Sequence, residues 1–536
     1  MTSVIFNPLE EFEQKYRALH AEKTNQFFDA LVQRSGIDLA LNRETVRQYH
    51  QCKEDSGKLQ KKRNWLRFFR VLMCITILLI PLVILKMTPK IRALKEQIEH
   101  AEQKAEELMQ EAERQMLPLN RLFTDRDALD LIEATVPLLD FAPLFSVEQE
   151  TDMKINYDFC PEDDPEQSTV DTLAGRYNEN PFLFENRRIH KMGQETYHGY
   201  KTIHWTESYY DSDGKLRTRT KSETLHATVT KPKPFYSTQV ILTYCAQGGP
   251  ELSFSRDATH LEQKSEREIE KIVKRGERKL QKKTEKSIGE DGDFVSMSNT
   301  DFEVLFDALD RTNEVQFRTL FTPLAQTNMV DLLLSKVGYG DDFHFIKANR
   351  TNEIRSNHSQ GRALNLLPGH YRSYSYDIIK ENFVGKNMEF FKAVYFDFAP
   401  IWAIPIYQER PVHSLKPLPD YNQLYAFKEY EVLANCAEHS GIVHPDTKTL
   451  AIFKSSFVAS KDGVDDMCIT AYSYDIEKRV ECVSVYGGDG KFHSVPVEWD
   501  EYLPLEWSSE LRVSTEQSAQ GKPVIARHNG LCIYQS

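Results

Sequence analysis

The chain has 536 residues, too many for one hydrophobic core, so two to four domains are expected. Hydrophobic residues make up 40% and charged residues 27%, which excludes a wholly disordered chain and a polytopic membrane protein. A net charge of −13 argues against nucleic acid as a partner.

Eight cysteines are scattered, at 52, 74, 160, 245, 436, 468, 482 and 532, with no CxxC pair and no zinc-finger spacing. They read as free thiols, and no cofactor or metal is implied. Residues 1–64 form an N-terminal helical segment. Leu9 to Gln33 and Asn42 to Asn64 are rich in Glu, Lys, Gln and Arg, and Ser35-Gly36 punctuates the gap.

Val71 to Leu85 is fifteen residues without a charge. Aromatic and basic flanks extend it to Trp65–Met87, about 34 Å of helix, which predicts one transmembrane helix at 65–87. A core helix and an interfacial helix are the alternatives; a cleaved signal peptide would lie much nearer the N-terminus. Lys58 to Arg70 holds six Lys/Arg, and Lys86 to Ile98 holds four. By the positive-inside rule this favours a cytoplasmic N-terminus and a single-pass protein of the cell membrane. Membrane lipid is then a partner.

Ile91, Leu94, Ile98, Ala101, Ala105, Leu108 and Ala112 follow a heptad seam. The segment 88–134 reads as a coiled-coil stalk followed by a short helix. The seam suits either weak homo-oligomerisation through Ile91–Ala112 or packing of the helix on its own domain.

From 135 to 258 the pattern turns to period two. Its best element runs from Gly199 to Pro232, two Thr- and Tyr-rich strands around Asp211-Ser212-Asp213-Gly214. A turn centred on Ser212 and Asp213 sets Trp205 against Thr220 and Tyr209 against Leu216. His204, Thr206 and Ser208 then meet Arg217, Arg219 and Lys221 on one face. His204, Arg217, Arg219 and Lys221 are the anion-binding candidate; a merely solvated strand face is the plainer reading. A separate strand is expected at Ser237–Tyr244, after Pro232 and Pro234.

Residues 259–296 hold a charged helix, with ten Lys/Arg between Lys264 and Lys286 and interleaved Glu, and then a loop. The region 297–418 reads as α+β. Helices are expected at Asp301–Leu309 and Met329–Val337, and aromatic-rich strands over Tyr371–Tyr407. Asp140-Phe-Ala-Pro-Leu-Phe145 is echoed by Asp397-Phe-Ala-Pro-Ile-Trp402, read as two apolar walls. Arg410 to Asp420 is the expected linker. The unit 419–536 reads as a small α+β domain with a helix at Phe427–Ala437, strands at 449–458, 467–474, 480–486 and 491–497, and turns at Asp475–Lys478 and Gly487–Gly490.

The phosphate-loop, dinucleotide, HExxH and GxSxG signatures do not occur. Asp341, Asp342, His344, His358 and His370, with Arg350, Arg355, Arg362 and Arg372, form the one constellation that suits a hydrolase or transferase. The fold class expected is α+β: N-terminal helices, one transmembrane helix, a heptad stalk and a multi-domain body with antiparallel sheets. The expected function is that of a membrane-anchored binding or scaffold protein of a bacterial-type cell envelope, bound to a protein or anionic partner. A membrane-anchored enzyme with its site in 338–376 is the alternative.

Overall fold

The computed structural model describes residues 5–74, 87–161, 164–289, 294–411, 416, 423–438 and 441–535. The fold is α+β, and its sheets are antiparallel. Two compact units are present. A helical one is built mainly from 7–139 and 365–396, and a β-rich one from 140–364 and 397–536.

In the helical unit, Arg17–Ser35 ends on Gly36 in the left-handed region, a conformation glycine adopts without strain. Leu39–Cys74 and Thr88–Asn120 follow, and then Asp127–Thr135. The seam of the Thr88–Asn120 helix is covered by the chain itself. Ile91, Leu94, Ile98, Ala105 and Ala112 are buried, and the helix packs along Leu39–Cys74. Small alanines let the two backbones approach, which is the role the seam plays here in place of a free stalk. Phe28, Leu31, Met116, Leu119, Phe123, Leu131, Tyr371, Tyr376, Ile379 and Phe383 form the core of this unit.

Tyr371–Tyr407 corrects the expectation of aromatic-rich strands, because Tyr376–Trp402 is one helix. Tyr376, Ile379, Phe383, Phe390, Val394, Phe398 and Ile401 are all buried and recur at three- and four-residue steps, or nearly so. Burial of a helical stripe outweighs the strand preference of aromatic residues. The echo Asp140–Phe145 and Asp397–Trp402 accordingly has two conformations: Leu139–Phe141 is a strand and Asp397 begins the last turns of the helix. Phe141 and Phe398 nevertheless pack on the same ring, that of Phe182.

Among the described residues of the β-rich unit, seven strands form one sheet in the order β1-β2-β3-β4-β7-β6-β5. They are β1 (Leu139–Phe141), β2 (Gln167–Tyr177), β3 (Asn180–Tyr210), β4 (Leu216–Cys245), β5 (Ser253–Arg256), β6 (Phe343–Ala348) and β7 (Thr351–Ser356). A second sheet, ordered β11-β12-β10-β9-β8, holds β8 (Ile452–Lys461), β9 (Val464–Tyr486), β10 (Phe492–Thr515), β11 (Val524–His528) and β12 (Leu531–Gln535). Asp462-Gly463 and Asn529-Gly530, all at positive φ, make two-residue hairpin turns.

Two expected breaks are absent. β4 runs through Pro232 and Pro234, and β9 runs through Asp475–Lys478. Both prolines sit where β4 pairs with β3 on one side only, so the missing N–H faces no partner strand. The turn at Gly487–Gly490 is present. The expected linker lies largely outside the described residues, as does most of Val71–Leu85.

The outer halves of β3/β4 and β9/β10 are two ribbons that pack face to face. Ile203, Leu225, Ala227, Val229, Val495 and Val497 form the layer between them. Gly199 marks a close approach: a Cβ there would lie 2.2 Å from the Pro496 carbonyl oxygen. Gly199→Val therefore forces the ribbons apart, with an expected loss of about 1–3 kcal/mol in chemical denaturation. An unchanged midpoint would show that the ribbons separate freely.

Candidate functional site

The ribbon tip is set by its turn. Asp211 Oδ1 accepts from the backbone N–H of Asp213 at 3.0 Å and of Lys215 at 2.9 Å, and Gly214 has φ +74°. Three residues, 212–214, form the loop, one more than the two-residue turn expected. One extra residue shifts the register by one and exchanges the faces. Trp205 pairs with Lys221, Glu207 with Arg219 and Tyr209 with Arg217, whereas His204 lies opposite Ser222. The structure thus brings Arg217, Arg219 and Lys221 to one face and leaves His204, Thr206 and Ser208 on the other. Arg217 pairs with Asp211 at 2.6 Å, and Arg219 and Lys221 each reach Glu207 at 2.7 Å. Three cations beside two carboxylates leave only a weak positive field for an anion.

The 338–376 constellation separates. Asp341 is buried and paired with Arg256, and it also accepts from Thr259 N at 3.1 Å and Thr259 Oγ1 at 2.5 Å. His344 reaches Asp257 at 2.9 Å. His370 is exposed in the short helix Pro368–His370 of the helical unit. Of the constellation's carboxylate and imidazole side chains, only those of Asp342 and His358 meet, and Arg362 joins them through Asp397. His358 Nδ1 lies 2.6 Å from Asp342 Oδ2, and Nε2 lies 3.4 Å from Asp397 Oδ1. The imidazole stacks on Tyr339 at 3.7 Å. Arg362 reaches Asp397 at 2.6 Å, and Ser359 Oγ donates to Asp397 at 2.8 Å. Both ring nitrogens face carboxylates, and the neighbouring hydroxyl is turned to Asp397 rather than to the ring. A nucleophile needs its base within hydrogen-bond reach. The arrangement instead ties the start of β6, the Asn357–Ser359 turn and the end of the Tyr376–Trp402 helix. Asp397, 39 residues beyond His358 in sequence, carried no signal that could attach it to this group.

A third feature lies at the end of the helical unit. Gln115 Nε2 donates to Thr45 Oγ1 at 3.1 Å, and Gln60 Nε2 to Glu102 Oε1 at 2.6 Å. The Leu39–Cys74 and Thr88–Asn120 helices are therefore antiparallel, and Cys74 and Thr88 emerge at the same end. Near that end Trp65 is 60% and Phe68 64% exposed. Lys61, Lys62, Arg63, Arg67 and Arg70 line one helix there, and Lys90, Arg92 and Lys95 the other. The basic flanks that the sequence suggested for opposite membrane faces are thus neighbours in an antiparallel pair.

Among the described residues, no helix is long and apolar enough to cross a membrane. The sequence matches no known family model, no curated protein and no solved structure at a significant level.

Proposed function

We propose that the protein is a membrane-associated binding or scaffold protein, attached where the apolar run joins the two antiparallel helices. The observation that carries this reading is the common end of Cys74 and Thr88, next to exposed Trp65 and Phe68. Thirteen residues separate Cys74 from Thr88, whereas crossing a bilayer and returning needs roughly 40. An apolar run entered and left on one side suits insertion into one leaflet. The aromatic rings sit at the interface, and the basic side chains meet anionic headgroups. This replaces a single pass by a one-sided attachment. It places both helices on the cytoplasmic side, where anionic lipid is concentrated. The setting around His358 favours a structural role there over the enzyme reading.

The expected result is flotation of the full chain with phosphatidylglycerol-containing vesicles, weakened by salt, and much less flotation with phosphatidylcholine alone. Trp65→Ala with Phe68→Ala should lower partitioning by roughly tenfold. Reporters inserted before Leu39 and after Asn120 should occupy the same compartment. Reporters on opposite sides would restore the spanning helix, and failure to float with either vesicle would remove the membrane reading.

A further inference from the structure

A cleft of about 390 Å³ in the β-rich unit has no place in the reading above. One wall is the sheet face carrying Tyr472 and Tyr474, with Glu506 opposite Tyr472 in the β9–β10 ladder. The other wall is the cross-strand pair His190 and Tyr236, with Glu166 beside it. The His190 ring lies between two tyrosines, 5.3 Å from Tyr236 and 5.6 Å from Tyr474 between centroids. Its side chain is 8% exposed, and Nδ1 contacts the Glu166 carboxylate. The second ring nitrogen, Nε2, is buried and has no hydrogen-bond partner. A buried polar atom without a partner at the wall of a cleft is a place kept for a ligand atom or water.

The chemistry of the walls selects the ligand. Tyrosine faces attract cations through their ring quadrupole. Two carboxylates, Glu166 and Glu506, lie at the cleft, and among the described residues no Lys or Arg lines it. Arg188, two residues before His190, pairs with Glu438 at 3.1 Å, and Lys448, whose backbone N–H donates to the Tyr474 carbonyl, pairs with Asp475 at 2.6 Å. With a proton on Nδ1 directed to Glu166, Nε2 presents a lone pair to a donor in the cleft. The volume lies within the range of small-ligand sites. We propose that this cleft binds an organic cation, an ammonium or guanidinium group on a short aliphatic stem, against Tyr472 and beside the Tyr474–His190 ring contact, with Glu166 and Glu506 at its walls. The stem lies on the rings, an N–H donates to His190 Nε2, and Glu506 offsets the remaining charge. The cation comes either free or as the side chain of a protein partner.

Calorimetric titration of the full chain tests this with three probes: n-butylguanidinium, the tripeptide amide Ac-Gly-Arg-Gly-NH2, and the neutral isostere n-butylurea. The cations should bind saturably, with a dissociation constant on the order of millimolar, and n-butylurea at least tenfold more weakly. Tyr472→Ala should weaken n-butylguanidinium about fivefold, and Glu506→Gln about threefold. Tyr472 and Glu506 are both solvent-exposed, so the fold is expected to persist, which far-UV circular dichroism checks. Tighter binding of the tripeptide than of n-butylguanidinium identifies a protein side chain as the source, and the reverse a free amine or guanidine. The proposal is overturned by no saturable binding of either cation, by equal binding of n-butylurea, or by folded variants that bind like the parent. None of these outcomes bears on the membrane attachment, which lies in the other unit.

Discussion

Asp341→Ala is expected to lower stability by about 3–5 kcal/mol, the cost of leaving a buried charge without its partner. The side chains of Arg256 and Asp341 are 1% and 0% exposed. The guanidinium lies near the rings of Phe306 and Phe343 and donates to the backbone carbonyls of both. Carbonyls satisfy its N–H groups but cannot neutralise it. Removing the carboxylate also leaves Thr259 N and Oγ1 without their acceptor. Urea unfolding followed by circular dichroism measures the loss. The double variant Arg256→Met with Asp341→Leu should lose less than Asp341→Ala, since it removes both charges. A single-variant loss under about 1 kcal/mol would mean that water reaches the pair.

The second large effect is a dependence on pH at Lys347. Burial drives its pKa down to about 7; Arg350 adds to this and Cys245 opposes it. Nζ donates to the carbonyls of Gly248 at 2.9 Å and Asn349 at 2.5 Å, and faces no carboxylate at those distances. The unfolded chain takes up this proton as pH falls below about 10.5, whereas the folded chain refuses it until about 7. Stability therefore falls as pH drops from about 10.5 to about 7, by on the order of 5 kcal/mol from this group alone, and the contribution is flat below about 7. Lys347→Met lacks that slope but gives up two hydrogen bonds, at roughly 1–3 kcal/mol. The variant should be the less stable protein near pH 10 and match or exceed the parent near pH 7. Tyrosines and other lysines titrate alike in both chains and cancel in the difference. Parallel stability curves would show that Lys347 is solvated when charged.

The two features on which the proposals rest were legible to different degrees. The apolar run, its aromatic flank and its basic ends are local patterns, visible without coordinates. Their meaning changed when the helices on either side proved to be antiparallel, because flanking charge can be compared across a membrane only if the flanks lie on opposite sides. The cleft was not legible. Glu166, His190, Tyr236 and Tyr474 span 308 residues and share no spacing, and tyrosines in strands are unremarkable wherever they occur. Asp-Gly at 462 and Asn-Gly at 529 were readable turn signals that would have fixed two further hairpins.

What the sequence determined by itself is the set of properties that depend on neighbours a few residues away. These are the polar helices, the heptad seam, the charged helix Glu266–Gly289, the ribbon around Asp211–Gly214 and the α+β class. Backbone periodicity and turn chemistry act over that range, so they leave their mark in the residue order. The tertiary structure alone decided which face a strand residue occupies, that Tyr376–Trp402 is helical, that the seam is covered by its own chain, and that Asp397 joins His358. Each of these turns on one residue of register or on burial against distant chain. Register is set by the length of a single loop, and burial by partners hundreds of residues away, so neither is written in the local pattern.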